Sequence, residues 1–288
     1  GGITVVDQHQ RMLRGDAGAI LSPDFARVPP SLRFYAGGDN SVRGFDYRSL
    51  SPRNNLNETI GGLANTTPSI AGSVTNSSAT TATLTLGGNN IGSAVYFGLL
   101  ADGAGKVALS KVGTGTITLA GNNTYTGDTN IAAGTLQIGF GGATGDISGS
   151  NIIVAAGANL ALNRGGNYTF AAPVSGAGNV NKTGVGATTF TGASSFTGAA
   201  ILTDGRMILG AASTGATGAL GANTGTLQVN AGFLDLNGYS LTKASATGNA
   251  VGEVINNAAG TTRVFARIPN SPVARTSSPN SRARNRAF

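Results

Sequence analysis

The sequence of 288 residues has no cysteine, no tryptophan, one histidine and only 11% charged residues. The missing cysteine excludes a disulfide framework and thiolate metal sites. It also suits a chain that crosses an oxidising compartment unfolded, where a stray bridge would jam export. The one histidine, His9, sits near the N-terminus, so a histidine-based triad in the rest of the chain is excluded. No apolar run reaches the length of about 18 residues that a membrane-spanning helix needs. The start, Gly1-Gly2-Ile3-Thr4, offers no basic n-region, no apolar h-region and no initiator Met, so the chain reads as a fragment of something longer.

What is present is glycine, 46 residues of it, together with abundant Thr, Asn and Ser and a hydrophobic share of 40%. That share is enough for a core if it is spread along a stack, and uncharged polar residues suit the outer faces of β-structure. The net charge of +7 is unevenly placed. Residues 1–54 carry seven basic and five acidic side chains, residues 55–262 six and seven, and residues 263–288 six Arg and no acid. The basic excess therefore lies in a terminal tail, and the near-neutral body offers no patch for nucleic acid.

Three segments follow: 1–54, 55–262 and 263–288. The first holds much of the aromatic and charged character. Gln10 to Ile20 reads as a strand interrupted at Gly15-Asp16, Pro23, Pro29 and Pro30 mark a loop, and Ser31 to Ala36 alternates as a second strand. The run Pro29 to Pro52, containing Val42-Arg43-Gly44-Phe45, resembles the barrel region of the Omp85 superfamily, nearest its TamA-like translocation and assembly branch. The resemblance implies a lumen loop in which Arg43 reaches the inner barrel wall, Gly44 allows close backbone approach and Phe45 packs. It covers about 50 residues and stops, and two or three strands cannot close a barrel.

The body contains a repeat. Lys111 to Gly139 aligns with Lys182 to Gly210 at an offset of 71 without a gap. Nine of 29 positions are identical, six of them Gly, and the apolar positions correspond: Leu119 with Phe190, Tyr125 with Phe196, Ile131 with Leu202, Leu136 with Met207, Ile138 with Leu209. Recurring turns with recurring inward side chains indicate a solenoid. Strands are expected at Thr116–Leu119, Asn130–Ala132, Thr135–Ile138, Ile152–Ala155 and Asn159–Leu162. One third of the offset is about 24 residues, which suits a rung of three short strands and gives eight or nine rungs in a rod of about 40 Å.

The first copy also resembles the autotransporter-associated β-strand repeat of type V passenger domains. The motif runs through Lys111, Gly113, Gly115, Leu119, Gly121, Asn123, Tyr125, Gly127, Thr129, Ile131, Gly134 and Leu136, and the second copy departs at Ser194, Ser195 and Ala200. The resemblance implies a right-handed parallel β-helix at a Gram-negative outer membrane, exposed on the cell or secreted. The tail, rich in Arg, Ser, Pro and Asn, reads as disordered.

Candidates for chemistry fail one by one. Gly145 to Ser150 is a split serine-nucleophile pattern without a histidine. Gly141 to Asp146 is a single out-of-register approach to a calcium nonapeptide, and one such turn cannot complete oxygen coordination. Asp102 and Asp128 are the one carboxylate pair near a rung apart, and Lys111 and Lys182 read as solvated strand-edge gatekeepers. The expectation is an all-β, non-enzymatic passenger fragment, stalk-like or adhesin-like, with no cofactor and no metal. Its partners would be the outer membrane or its assembly machinery, and a host-surface or glycan ligand. The alternatives are an Omp85-type assembly component and a polysaccharide-active β-helix enzyme.

Overall fold

The computed structural model describes residues 2–7, 10–14, 20–21, 41–42, 58–65, 72–88, 92–147, 149–258 and 266–267. Residues Arg43, Gly44, Phe45 and the expected strand at 31–36 lie outside them, as does most of the tail. Near the N-terminus, Gly2–Asp7, Gln10–Arg14 and Ile20–Leu21 pair antiparallel, so the span read as one strand is two, beside a partner that the sequence reading did not anticipate.

The body is an all-β parallel solenoid with three sides, and no helix occurs among the described residues. The first face stacks Glu58–Ile60, Ala82–Leu86, Val107–Lys111, Thr129–Ile131, Ile152–Val154 and Val174–Gly176, all parallel. The second stacks Ser93–Tyr96, Thr116–Leu119, Thr135–Ile138, Asn159–Leu162, Asn179–Lys182 and Ala199–Leu202, then the leading halves of Thr226–Asp235 and Ser245–Ile255. These eight levels span about 34 Å at 4.8 Å each. The third face has strands at Tyr168–Phe170, Ala187–Phe190 and Arg206–Leu209, followed by the trailing halves of the two long strands.

Strand alternation places one residue in two inside. Leu119, Ile131, Leu136 and Ile138, and Phe190, Leu202, Met207 and Leu209, are all buried at 3% exposure or less. Each such side chain contributes roughly 1.5–3 kcal/mol relative to exposure. The sequence-derived strands coincide with the observed ones to within a residue.

The rung length differs from expectation. Lys111 stacks on Ile131, Val154 and Gly176, so three rungs take 65 residues, about 22 each rather than 24. Lys182 comes six residues later and lies on the second face. The offset of 71 is thus three rungs plus one side. Lys111 closes the first face, whereas Lys182 closes the second, and every later position of the second copy follows one side round.

Glycine supplies the corners. A Cβ on Gly121 would stand 2.0 Å from the carbonyl oxygen of Gly98 in the rung before, and one on Gly198 2.1 Å from that of Gly178. Only a residue without a side chain lets consecutive corners stack at strand spacing.

Candidate functional site: a pinned loop on the rod

The residues of the repeat motif turn out to build rungs. Lys111 and Lys182 are fully buried, which overturns their reading as solvated gatekeepers. The ammonium of Lys111 donates to the carbonyls of Val112 (2.8 Å), Gly113 (2.9 Å) and Ala133 (3.1 Å). That of Lys182 donates to Gly184 and, at 3.3 Å, to Asp204. Each lysine therefore ties its own corner to the corner one rung on. The long methylene stem lies in the apolar core while the head meets carbonyls that the turn leaves unpaired. Burial lowers the Lys111 pKa and pulls that of Lys182 down to about 8, with Asp204 opposing the latter shift. Gly134 and Gly205 adopt φ of 65° and 71° at the next corner.

The stretches 120–128 and 191–198, which carry no regular strand, are closed by polar side chains. Asn123 accepts from the Leu100 N–H and donates to the carbonyls of Gly121 and Asp146. At the matching place, Ser194 accepts from the Val174 N–H. The hydroxyl of buried Tyr125 meets Thr129 at 2.7 Å, and Thr129 meets Ser150 at 2.6 Å. Burial raises the Tyr125 pKa, and the two hydroxyls offset only part of that. Leu119, Ile131 and Leu136 fill the core, and Gly113, Gly115, Gly121, Gly127 and Gly134 form the turns between.

The carboxylates do not gather. Asp102 accepts from the N–H groups of Val107 and Thr126 and from the Thr126 hydroxyl at 2.6 Å. Desolvation works to raise its pKa, but these hydrogen bonds outweigh that and hold it low. Asp128 accepts from Asn151 instead. Among the described residues no three of His, Cys, Asp and Glu could hold a metal together.

A surface loop breaks the regularity of the rod here, as the longer stretch 210–225 does further on. Between the strand Thr135–Ile138 and the third side, residues 139–147 bulge outward, and residues 140–144 are exposed. The segment is nevertheless fixed. Gly139, Gly141 and Gly145 have φ of 83°, 80° and 110°. Gln137 donates to the Gly139 carbonyl, Asn122 accepts from the Gly145 N–H, and the backbones of Asn163 and Gly165 bond Gly141 and Gly142. The buried guanidinium of Arg164 donates to the carbonyls of Ala143 and Gly145 and lies 4.2 Å from the Tyr168 ring centroid. Tyr168 in turn donates to Asp146 at 2.6 Å, and burial followed by that carboxylate pushes its pKa up. The carbonyls of the calcium-like stretch thus do converge on a cation, and that cation is Arg164. Phe140 stands out at 57% exposure, its ring centroid 5.8 Å from that of Phe97, edge to face.

Sequence reasoning missed this loop because Arg164 follows it by about twenty residues and meets it only once rungs stack. The available signal was the run Gly139-Phe140-Gly141-Gly142, which breaks the strand-and-turn rhythm, and the presence of only two arginines in 55–262.

Residues 102–138 and 180–209 match the family model of the Passenger-associated-transport-repeat. Over 97 residues the chain is 36% identical to a protein named "Adhesin BmaC autotransporter" from Brucella suis biovar 1 (strain 1330), a stretch that is 33% of this chain and 3% of that protein. No solved structure matches the chain.

Proposed function

We propose that this chain is part of an autotransporter passenger: a non-enzymatic, adhesin-like β-helical stalk displayed at, or shed from, a bacterial outer membrane. The observation that carries the reading is a coincidence of two independent patterns. The stretches that match the passenger repeat, 102–138 and 180–209, are rungs of the solenoid, and the Lys and Gly positions that the two copies share are the corners that let rungs stack. The similarity to an adhesin supports the same reading. The outer membrane and its assembly machinery are then the partners through which the chain passes.

The mechanism is mechanical and thermodynamic. Each rung satisfies its backbone groups on the previous one, so folding can propagate from a nucleus, and propagation outside the cell draws the chain outward. A carbohydrate-active reading has less to work with, because the Asp102 carboxylate is engaged as a clip between rungs.

The test places the full chain between a secretion signal and a translocator barrel in a Gram-negative host. The expected result is a chain labelled on intact cells and removed by added protease without lysis. Retention in the periplasm under conditions where a known passenger is exported would sink the proposal.

A further inference from the structure

We infer that the Phe97–Phe140 ring pair and the loop behind it form a binding subsite for a pyranose ring of an uncharged saccharide. This extends the adhesin-like reading and rests on it, by naming where on the rod a ligand is held and of what chemistry.

The first ground is preorganisation. An exposed loop is ordinarily the most mobile part of a fold. Here five exposed residues, 140–144, are held by Gln137, Asn122, Asn163, Gly165 and the buried Arg164. At the matching place in the second copy, 210–218, the chain is held by the buried Ser213 and by backbone bonds between Ser194 and Gly218, whereas here a buried guanidinium is committed to the loop. A rigid loop loses little entropy when it binds.

The second ground is the ring itself. Phe140 is 57% exposed and meets Phe97 edge to face, although the two belong to rungs two levels apart. They reach each other because Gly121, in the rung between, has no side chain and stacks against the backbone of Phe97 and Gly98. An exposed aromatic face accepts the C–H face of a sugar ring, and the amide N–H groups of the exposed Asn122, whose carbonyl is taken by the Gly145 N–H, donate to its hydroxyls.

The third ground is charge. No charged residue occurs between Lys111 and Asp128, or between Asp128 and Asp146, the stretches that build this part of the surface. Arg164 is buried under the loop, and Asp146 accepts from Tyr168. A site without exposed cations does not compensate an acidic ligand for its lost hydration, so a neutral saccharide is favoured over a sialylated or uronic one.

The test uses the purified full chain on an array of neutral oligosaccharides and their sialylated counterparts. The expected result is retention on at least one neutral glycan and weaker retention on its sialylated form. Phe140→Ala should lower that affinity by about tenfold and move Tm by no more than about 2–4 °C through loss of the pair with Phe97, while Val185→Ala, an exposed apolar residue elsewhere, leaves the affinity unchanged. Any of four results overturns the inference: no neutral glycan retained, retention that survives Phe140→Ala, stronger retention of the sialylated form, or a dimer in sedimentation velocity that Phe140→Ala dissolves, which would give the patch to a second copy. Surface display is read separately on cells, so a rod that is exported but binds no glycan disproves the subsite and leaves the stalk intact.

Discussion

Residues 111–139 and 182–210 are two versions of one unit on different sides of the same rod, and their differences are coordinated. In the first, Tyr125, Thr129 and Ser150 share a buried chain of hydroxyls. In the second, the corresponding residues 71 positions on are Phe196, Ala200 and Gly221, and all the hydroxyls are gone together. A buried hydroxyl is tolerated when it has a partner and costs about 1–3 kcal/mol when it has none. The three positions therefore behave as a set, polar in one copy and apolar in the other. What both copies keep is the corner: a buried Lys reaching carbonyls 22 residues on, and a glycine with positive φ just after.

The largest effect that would break the equivalence is a charge in the ladder. Leu136→Asp and Met207→Asp should each cost more than about 4 kcal/mol, enough to unfold local rungs, because a lone carboxylate would be buried without a partner. Thr135→Asp, on the outer side of the same strand, should cost about 1 kcal/mol or less, as measured by urea denaturation. Similar midpoints for Leu136→Asp and Thr135→Asp would remove the basis for calling Leu136 inward.

A smaller effect sharpens the hydroxyl comparison. Phe196→Tyr puts a phenol where Ala200 and Gly221 offer no side-chain hydroxyl and the Gly221 carbonyl is already taken by Ser213, and should destabilise by about 1–3 kcal/mol. Adding Ala200→Thr should recover part of that loss, giving a positive coupling in a double-mutant cycle. Strict additivity of the two changes would show that the hydroxyl set is not a unit.

The smallest effect is a pH slope. Lys182 and Lys243 have pKa values pulled to about 8 by burial, against 10.5 for an ordinary lysine. Between these values the unfolded chain keeps a proton that the folded chain has shed, so stability rises with pH across that window. Below about 8 both states are protonated and the penalty for burying the charge is constant. Denaturation midpoints at pH 7.5 to 9.5 should climb for the native sequence and climb less for Lys182→Met. The range stays below the point where Tyr96, Tyr125 and Tyr168, whose pKa values are raised by burial, pull the other way. A slope unchanged by Lys182→Met would mean that its ammonium remains hydrated.

Much of the rod could be read in advance because its information is local. Strand limits at Thr116–Leu119, Thr135–Ile138 and Asn159–Leu162, and the inward positions from Leu119 to Leu209, follow from alternation and turn residues a few positions apart. What could not be read depends on contacts between rungs. The sequence shows that Lys111 and Lys182 correspond, but which face each closes depends on the residues consumed by all the corners between them. A lysine at a strand end looks solvated until the carbonyls of the next rung, at Ala133 and Asp204, are placed above it. The same holds for Arg164, whose partners Ala143 and Gly145 are distant along the chain and adjacent only in the stack.

The offset between the copies has a consequence for how such a protein changes by recombination. Exchange between two like stretches of a gene deletes or duplicates the distance between them, here 71 codons. Because that distance is three rungs plus one side, every crossover of this kind changes the length of the rod and also turns everything beyond the joint by one side of the triangle. The corners at the joint would be undisturbed, since each copy brings its own lysine and glycines. Because it lies between the two copies, the loop 139–147 would be lost in a deletion and would appear a second time, at a new bearing on the rod, in a duplication, without any substitution in the loop itself.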